Sequence, residues 1–306
     1  MKIVFVSGVK FGFEVLKEIM EKGWKITALF SYLPEKKKNY SDYAEFDSIA
    51  EKFGIFHKKV DNINDKENIE ILKSIKPDLI LVMGWSQLLK SDIINIPTIG
   101  IIGSHPTELP KYRGRAPIPW TILKDLKKSA ETFFWIEEGT DSGDILDQEI
   151  FSIEEDEDAS SLYAKVTDLG KKMTLRNLKL IEQGVIIRKK QDTTKFIEYW
   201  DKRTPDDGKI NWSCLSNDIY KLIRATTRPY PGAFTLFRNR KLKIWKALLT
   251  TKVSSKPGQI IEINNLGVFV GTGDNMIILQ DVSFDDGIQI KAQEFFSDSD
   301  IGYILE

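Results

Sequence analysis

The chain is poor in the residues that commit a protein to many chemistries. It carries one cysteine, Cys214, so no internal disulfide is possible and the cytoplasm is the expected compartment. It carries two histidines, His57 and His105, so any imidazole chemistry falls on one of them. An excess of positive charge is also missing. Lys and Arg number 44 against 45 Asp and Glu, a net charge of −1. A protein that grips a polyanion usually has a basic surplus, so the balance disfavours a nucleic-acid substrate. No charge-poor apolar run approaches the roughly 18 residues of a membrane span. Met1–Val6 is too short and strand-like for a signal peptide. Only Gly8 and Gly12 follow the first strand, which falls short of a Gly-x-Gly-x-x-Gly fingerprint, so a nicotinamide-dependent enzyme is not expected. There is no internal repeat and no metal-ligand cluster.

What is present reads as a globular α/β protein, 42% hydrophobic and 29% charged. Ile3 to Ser7, Lys25 to Ser31, Asp78 to Met83 and Thr98 to Gly103 are short apolar runs of the kind that form buried parallel strands. Phe13, Leu16, Ile19 and Met20 recur at helical spacing before Gly23, and residues 42–54 read as a helix closed by Gly54. This rhythm predicts a Rossmann-like, doubly wound, mostly parallel sheet with its ligand crevice at the strand carboxyl ends. After residue 188 the pattern changes. Residues 189–208 have linker character, and 209–306 read as a smaller β-barrel domain with one helix near 215–226, capped by Ser216.

His57 lies on an edge-like strand and reads as an ordinary half-buried histidine. His105 ends an apolar strand and opens the loop Pro106–Pro117, dense in proline, glycine and cations. A loop of that composition at a strand mouth is often functional, and histidine is the readiest acid or base near neutral pH. A second loop, Glu137–Ile145, holds Asp141 between Thr140 and Ser142; a carboxylate beside an imidazole orients the ring. Sequence separation alone does not pair the two.

The motif His105-Pro106-Thr107-Glu108-Leu109-Pro110-Lys111-Tyr112-Arg113-Gly114 resembles the His-x-Ser-x-Leu-Pro motif of folate-dependent formyltransferases, and Gly139-Thr140-Asp141-Ser142-Gly143 is similar to that family's folate loop. The likeness extends through Arg203–Trp212, Ile223-Arg224-Ala225 and Pro229–Phe234. It implies a formyl donor, 10-formyl-tetrahydrofolate, and an amine acceptor. It implies His105 and Asp141 as catalytic residues. It also implies a folate loop of Met83, Gly84, Trp85, Ser86 and Leu88, completed by Thr140. For the acceptor it points to a nucleotide-linked amino sugar of the UDP- or dTDP-4-amino-4,6-dideoxyhexose type, in surface-glycan biosynthesis. Thr107, Lys111, Arg113, Arg115, Arg224 and Tyr230 would bind it. Methionyl-tRNA is the alternative acceptor, a non-catalytic folate- or nucleotide-binding protein the second alternative, and a homodimer is compatible with the resemblance. One position departs from the pattern. The family places Asn two residues before the histidine, where this chain has Gly103. Loss of such an oxyanion donor typically costs about a hundred- to a thousandfold in rate. A backbone N–H or a water fills the gap, or the residue is a substitution, or turnover is poor.

Overall fold

The structure is a computed structural model that describes every residue except 195–196, 254–255 and 286. The chain divides into two compact units, Met1–Pro117 with Lys128–Ser152 and Tyr163–Asp201, and Ile118–Lys127 with Ile153–Leu162 and Lys202–Glu306.

In chain order the elements up to the first long helix are β1 (Ile3–Val6), α1 (Lys10–Glu21), β2 (Ala28–Tyr32), α2 (Asp47–Phe53), β3 (Phe56–Val60), α3 (Lys66–Ile75), β4 (Leu79–Val82), α4 (Ser91–Ile94), β5 (Gly100–His105), β6 (Tyr112–Gly114), α5 (Pro117–Leu123), β7 (Lys128–Trp135), β8 (Ile145–Ser152) and α6 (Ala159–Glu182). Seven strands form one sheet in the order β3-β2-β1-β4-β5-β7-β8. The five from β3 to β5 are parallel, because each returns through a helical or loop crossover, while β7 and β8 run antiparallel at one edge. β1 and β4 are buried on both faces, which is why Ile3–Val6 and Leu79–Val82 read as unbroken apolar runs. Strand order reverses between β1 and β4, so the crevice of such a sheet opens at the carboxyl ends of these strands and their neighbours.

Two expectations need correction here. The helix read over 42–54 begins only at Asp47. Tyr43 instead bridges to Val9 and its ring is buried, so the apolar residues of 42–46 serve a turn against the first unit's core. Residues 189–208 also contain ordered pairing, since β9 (Glu198–Trp200) runs parallel to β6.

The second unit holds α7 (Ser216–Thr226) and an antiparallel sheet of β10 (Ala233–Phe237), β11 (Arg240–Val253), β12 (Ile260–Asn264), β13 (Gly267–Gly271), β14 (Asn275–Phe284) and β15 (Ile290–Lys291). The sheet closes over a core that includes Trp212, Ile223, Leu242, Ile244, Val268 and Leu279. Ser216 does not cap α7 with its side chain. Asp274 does the work from the turn before β14, accepting from the Ser216 N–H at 2.7 Å. Among the described residues no helix is long and apolar enough to cross a membrane, and no group of three or more metal-ligating side chains is gathered.

Candidate active site

His105 is the last residue of β5, paired with Thr132 across the antiparallel edge. Its ring is buried. The chain turns sharply after it, with the Thr107 N–H donating to the His105 carbonyl at 2.9 Å. The Tyr112 carbonyl is brought back over the ring and meets His105 Nε2 at 2.8 Å and the Thr107 hydroxyl at 2.7 Å. A carbonyl only accepts, so this contact puts a proton on Nε2. Nδ1 is then the nitrogen left to gain or lose one. It faces Asp141 Oδ2 at 3.7 Å, too far for a direct hydrogen bond and close enough for an ion pair once the ring is charged.

Asp141 is held from three sides. Its backbone is left-handed, with φ of 50°, in the glycine-flanked turn between β7 and β8. The Gly114 N–H donates to Oδ2 at 2.9 Å. Gln191 Nε2 donates to the carbonyls of both Asp141 and Gly143 at 2.7 Å. Gly143 is required here, because a Cβ would lie 1.8 Å from the Trp135 carbonyl. Gln191 is itself fixed by Arg113, whose Nη2 donates to Oε1 at 2.7 Å, while Nη1 reaches the Tyr199 hydroxyl at 3.2 Å. The Tyr112 ring stacks on Trp200 at 4.7 Å. β6 and β9 therefore form a clamp on the loop that carries the Gly114 donor.

The remaining expected residues divide by their surroundings. Arg113 is buried and spent on Gln191 and Tyr199, so in this conformation it is a brace and does not offer itself to a diphosphate. Lys111 pairs with Glu108 at 3.0 Å, and Thr107 is fully buried on the Tyr112 carbonyl. Arg115 alone of the loop's cations is exposed with its side chain unengaged. Arg224 and Tyr230 belong to the second unit. Arg224 is buried, donates to the Glu157 carbonyl at 2.6 Å and lies over the Tyr220 ring, and the Tyr230 N–H closes a turn on Thr227.

At the end of β4, Met83 is buried and Gly84 takes φ of 69°, where a Cβ would meet Val9 at 2.4 Å. Trp85 stacks on Tyr32 at 3.8 Å, and the Ser86 N–H donates to the Tyr32 hydroxyl at 3.0 Å. Burial holds the Tyr32 phenol well above its ordinary pKa, so that hydroxyl stays neutral. Leu88 is exposed, and Thr140 is half-buried beside Asp141. Gly103 is buried, and a Cβ there would lie 3.0 Å from both Phe134 and Ile136. An asparagine at this position would have to push both apolar side chains aside by a few tenths of an ångström.

Sequence reasoning missed Gln191, the Tyr112 carbonyl and the Gly114 N–H. The last two are backbone groups with no residue signature. Gln191 sat in a polar stretch whose composition suggested a linker.

The formyl transferase family model matches residues 1–178, and the formyl transferase C-terminal domain model matches residues 202–299. Methionyl-tRNA formyltransferase of Clostridium botulinum is 32% identical over 97% of this chain and 96% of its own length. The bifunctional polymyxin resistance protein ArnA of Wigglesworthia glossinidia brevipalpis is 31% identical over 87% of this chain, which spans 40% of that protein. Among solved structures, HypX of Aquifex aeolicus in complex with tetrahydrofolic acid aligns with a TM-score of 0.70 at 17% identity, over 96% of this chain and 46% of HypX. The N-formyltransferase from Helicobacter canadensis, with folinic acid and dTDP-3-aminofucose, aligns with a TM-score of 0.66 at 21% identity, over 92% of this chain and 99% of that one. At these identities the structural likeness concerns the fold.

Proposed function

The chain belongs to the formyl transferase family, and from that premise we propose that it moves a formyl group from a 10-formyl-tetrahydrofolate donor to a primary amine, with His105 and Asp141 as its catalytic pair. The observation that carries this reading is the imidazole at a strand end facing a braced carboxylate at 3.7 Å. The donor supplies an electrophilic formyl carbon and a leaving nitrogen. The attacking amine must lose a proton and the departing nitrogen must gain one, and one ionisable nitrogen placed beside both can serve each step. His105 Nδ1 has that freedom because Nε2 is committed to the Tyr112 carbonyl. Asp141 stabilises the ring while it carries the extra proton, and the Gly114 N–H and Gln191 keep the carboxylate in place. The strand-end loop 83–89 would take the pterin.

Two acceptors have support. The relatives named methionyl-tRNA formyltransferase match along nearly the whole chain, second unit included. The balanced net charge of −1 and the fold shared with the Helicobacter canadensis N-formyltransferase, whose structure holds dTDP-3-aminofucose, favour a nucleotide-linked amino sugar instead. The burial of Arg113 removes one support from that second reading, leaving Arg115 as the loop's exposed cation.

The test is to incubate the protein with 10-formyl-tetrahydrofolate and, separately, methionyl-tRNA or a panel of UDP- and dTDP-linked amino sugars, following formylated product by mass spectrometry. Product from one class assigns the acceptor. Tight donor binding without product from any amine would make the chain a folate-binding homologue and sink the enzymatic reading.

A further inference from the structure

Three segments that follow successive strands are tied into one rim. Residues 61–65 follow β3 and residues 83–90 follow β4. Gln87 joins them, donating from Nε2 to the Asp61 carbonyl at 2.6 Å and accepting from the Ile63 N–H at 3.0 Å. Asn64 adds two more ties, donating to the Leu88 carbonyl at 3.0 Å and accepting from the Lys90 N–H at 2.9 Å. The third segment follows β2 and is the short 3-10 helix Pro34–Asn39, sequence Pro-Glu-Lys-Lys-Lys-Asn. Its two flanking tyrosines lock it to the β4 loop. Tyr40 stacks on Tyr32 at 4.5 Å, and Tyr32 stacks on Trp85 at 3.8 Å, with ring planes within 11°. Lys36 completes the rim by pairing with Asp61 at 2.5 Å.

Lys36 and Asp61 neutralise one another. Lys37 and Lys38 are exposed and make no side-chain contact among the described residues. The other unpaired charges on the rim are Lys90, Glu35 and Asp65. The rim thus holds two adjacent free ammonium groups on a rigid turn, fixed through three stacked rings to the loop read above as the pterin site. Two adjacent lysines beside a ligand crevice, neither paired with an acid among the described residues, suit an extended anion that trails out of it.

We propose that Lys37 and Lys38 bind the glutamyl tail of the folate donor. The tail class meant is a chain of γ-linked glutamates, each of which adds one free α-carboxylate. This inference rests on residues 83–89 being the donor site. The two lysines would discriminate among donors by tail length and leave the chemistry at His105 untouched.

Equilibrium binding of 5-formyl-tetrahydrofolate, followed by tryptophan fluorescence, tests it with a stable ligand that is not consumed. The monoglutamyl and pentaglutamyl forms are compared on the native chain and on the double variant Lys37→Glu/Lys38→Glu. Two exposed ionic contacts predict about three- to tenfold tighter binding of the pentaglutamyl form at low salt. The gain should shrink in 0.5 M salt, as expected for about 5 Å of screening length or less, and vanish in the double variant. Lys37→Arg/Lys38→Arg should retain it. Equal affinities on the native chain, or a gain that survives charge reversal, would overturn the proposal. Failure of the monoglutamyl form to bind at all would sink the donor reading instead. An unchanged melting temperature checks that the exposed substitutions leave the fold intact.

Discussion

Each of the two histidines faces an aspartate, and the contrast between them shows what separates a site from a contact. His57 lies on the edge strand β3, with Nε2 at 2.8 Å from the Ser31 hydroxyl and Nδ1 at 3.4 Å from Asp47. By distance alone this serine–histidine–aspartate row is the tighter of the two. Its aspartate, however, is 57% exposed and already paired with Lys59 at 2.6 Å, and Ser31 is buried within β2. Nothing can approach the serine. His105 has the longer gap, 3.7 Å, but stands where a strand ends, and its Asp141 side chain is 18% exposed and bound by the Gly114 N–H. Position in the sheet and support of the carboxylate distinguish the pair, and the shorter distance does not.

The sharpest way to break that comparison is to neutralise both pairs. His105→Asn or Asp141→Asn should lower kcat by about 10²- to 10⁴-fold, the range of general acid–base catalysis, with the far-UV spectrum unchanged. His57→Asn should leave kcat within about twofold. Equal losses at the two histidines would erase the distinction.

Gly103→Asn comes next in size. The resemblance suggests a gain from restoring an oxyanion donor, but Phe134 and Ile136 occupy the space at 3.0 Å. Overpacking of this kind costs about 1–3 kcal/mol, so urea denaturation should report a less stable protein and steady-state assays no higher kcat. A faster enzyme would mean the apolar pair yields.

Glu131 tests whether burial without partners is tolerated beside the same strand. It lies on β7, adjoining Thr132, is fully buried, and neither carboxyl oxygen has a hydrogen-bond partner. Burial raises its pKa well above 4.5. The folded state therefore keeps a proton that the unfolded chain releases from about pH 4.5 upward. Stability should fall by about 1.4 kcal/mol per pH unit until the folded pKa is passed. Glu131→Gln should remove that slope, and melting curves at pH 5.5 and 8 would expose a failure if both proteins changed alike.

The smallest effect belongs to His57. Burial lowers its pKa below 6.5, against the pull of Asp47. The unfolded chain then takes up a proton before the folded one does, so stability is lost as pH falls from 6.5 through the folded value. His57→Gln should flatten this acid limb in pH-dependent melting, while the profile of kcat stays as it was.

Much of the sheet was legible because buried parallel strands leave continuous apolar runs, as in Ile3–Val6 and Leu79–Val82. His105 was legible because a strand end followed by a proline–glycine loop has a composition of its own. What escaped was set by distant neighbours. Tyr43 looked helical until Val9 claimed its backbone, and the cap of α7 came from Asp274, 58 residues away. Arg113 reads as a ligand cation in any local window. Its partners Gln191 and Tyr199 lie 78 and 86 residues on, and they decide its role.

The Gln191 amide that bridges Asp141 and Gly143 also ties the candidate site to a part of the chain beyond the first family match. A fragment ended at residue 178, where the match to the N-terminal family model stops, would keep both proposed catalytic side chains and lose the strut under one of them. The shortest piece worth cutting out for study runs past Trp200, since only then does β9 come along to hold the loop that feeds Asp141 its hydrogen bond.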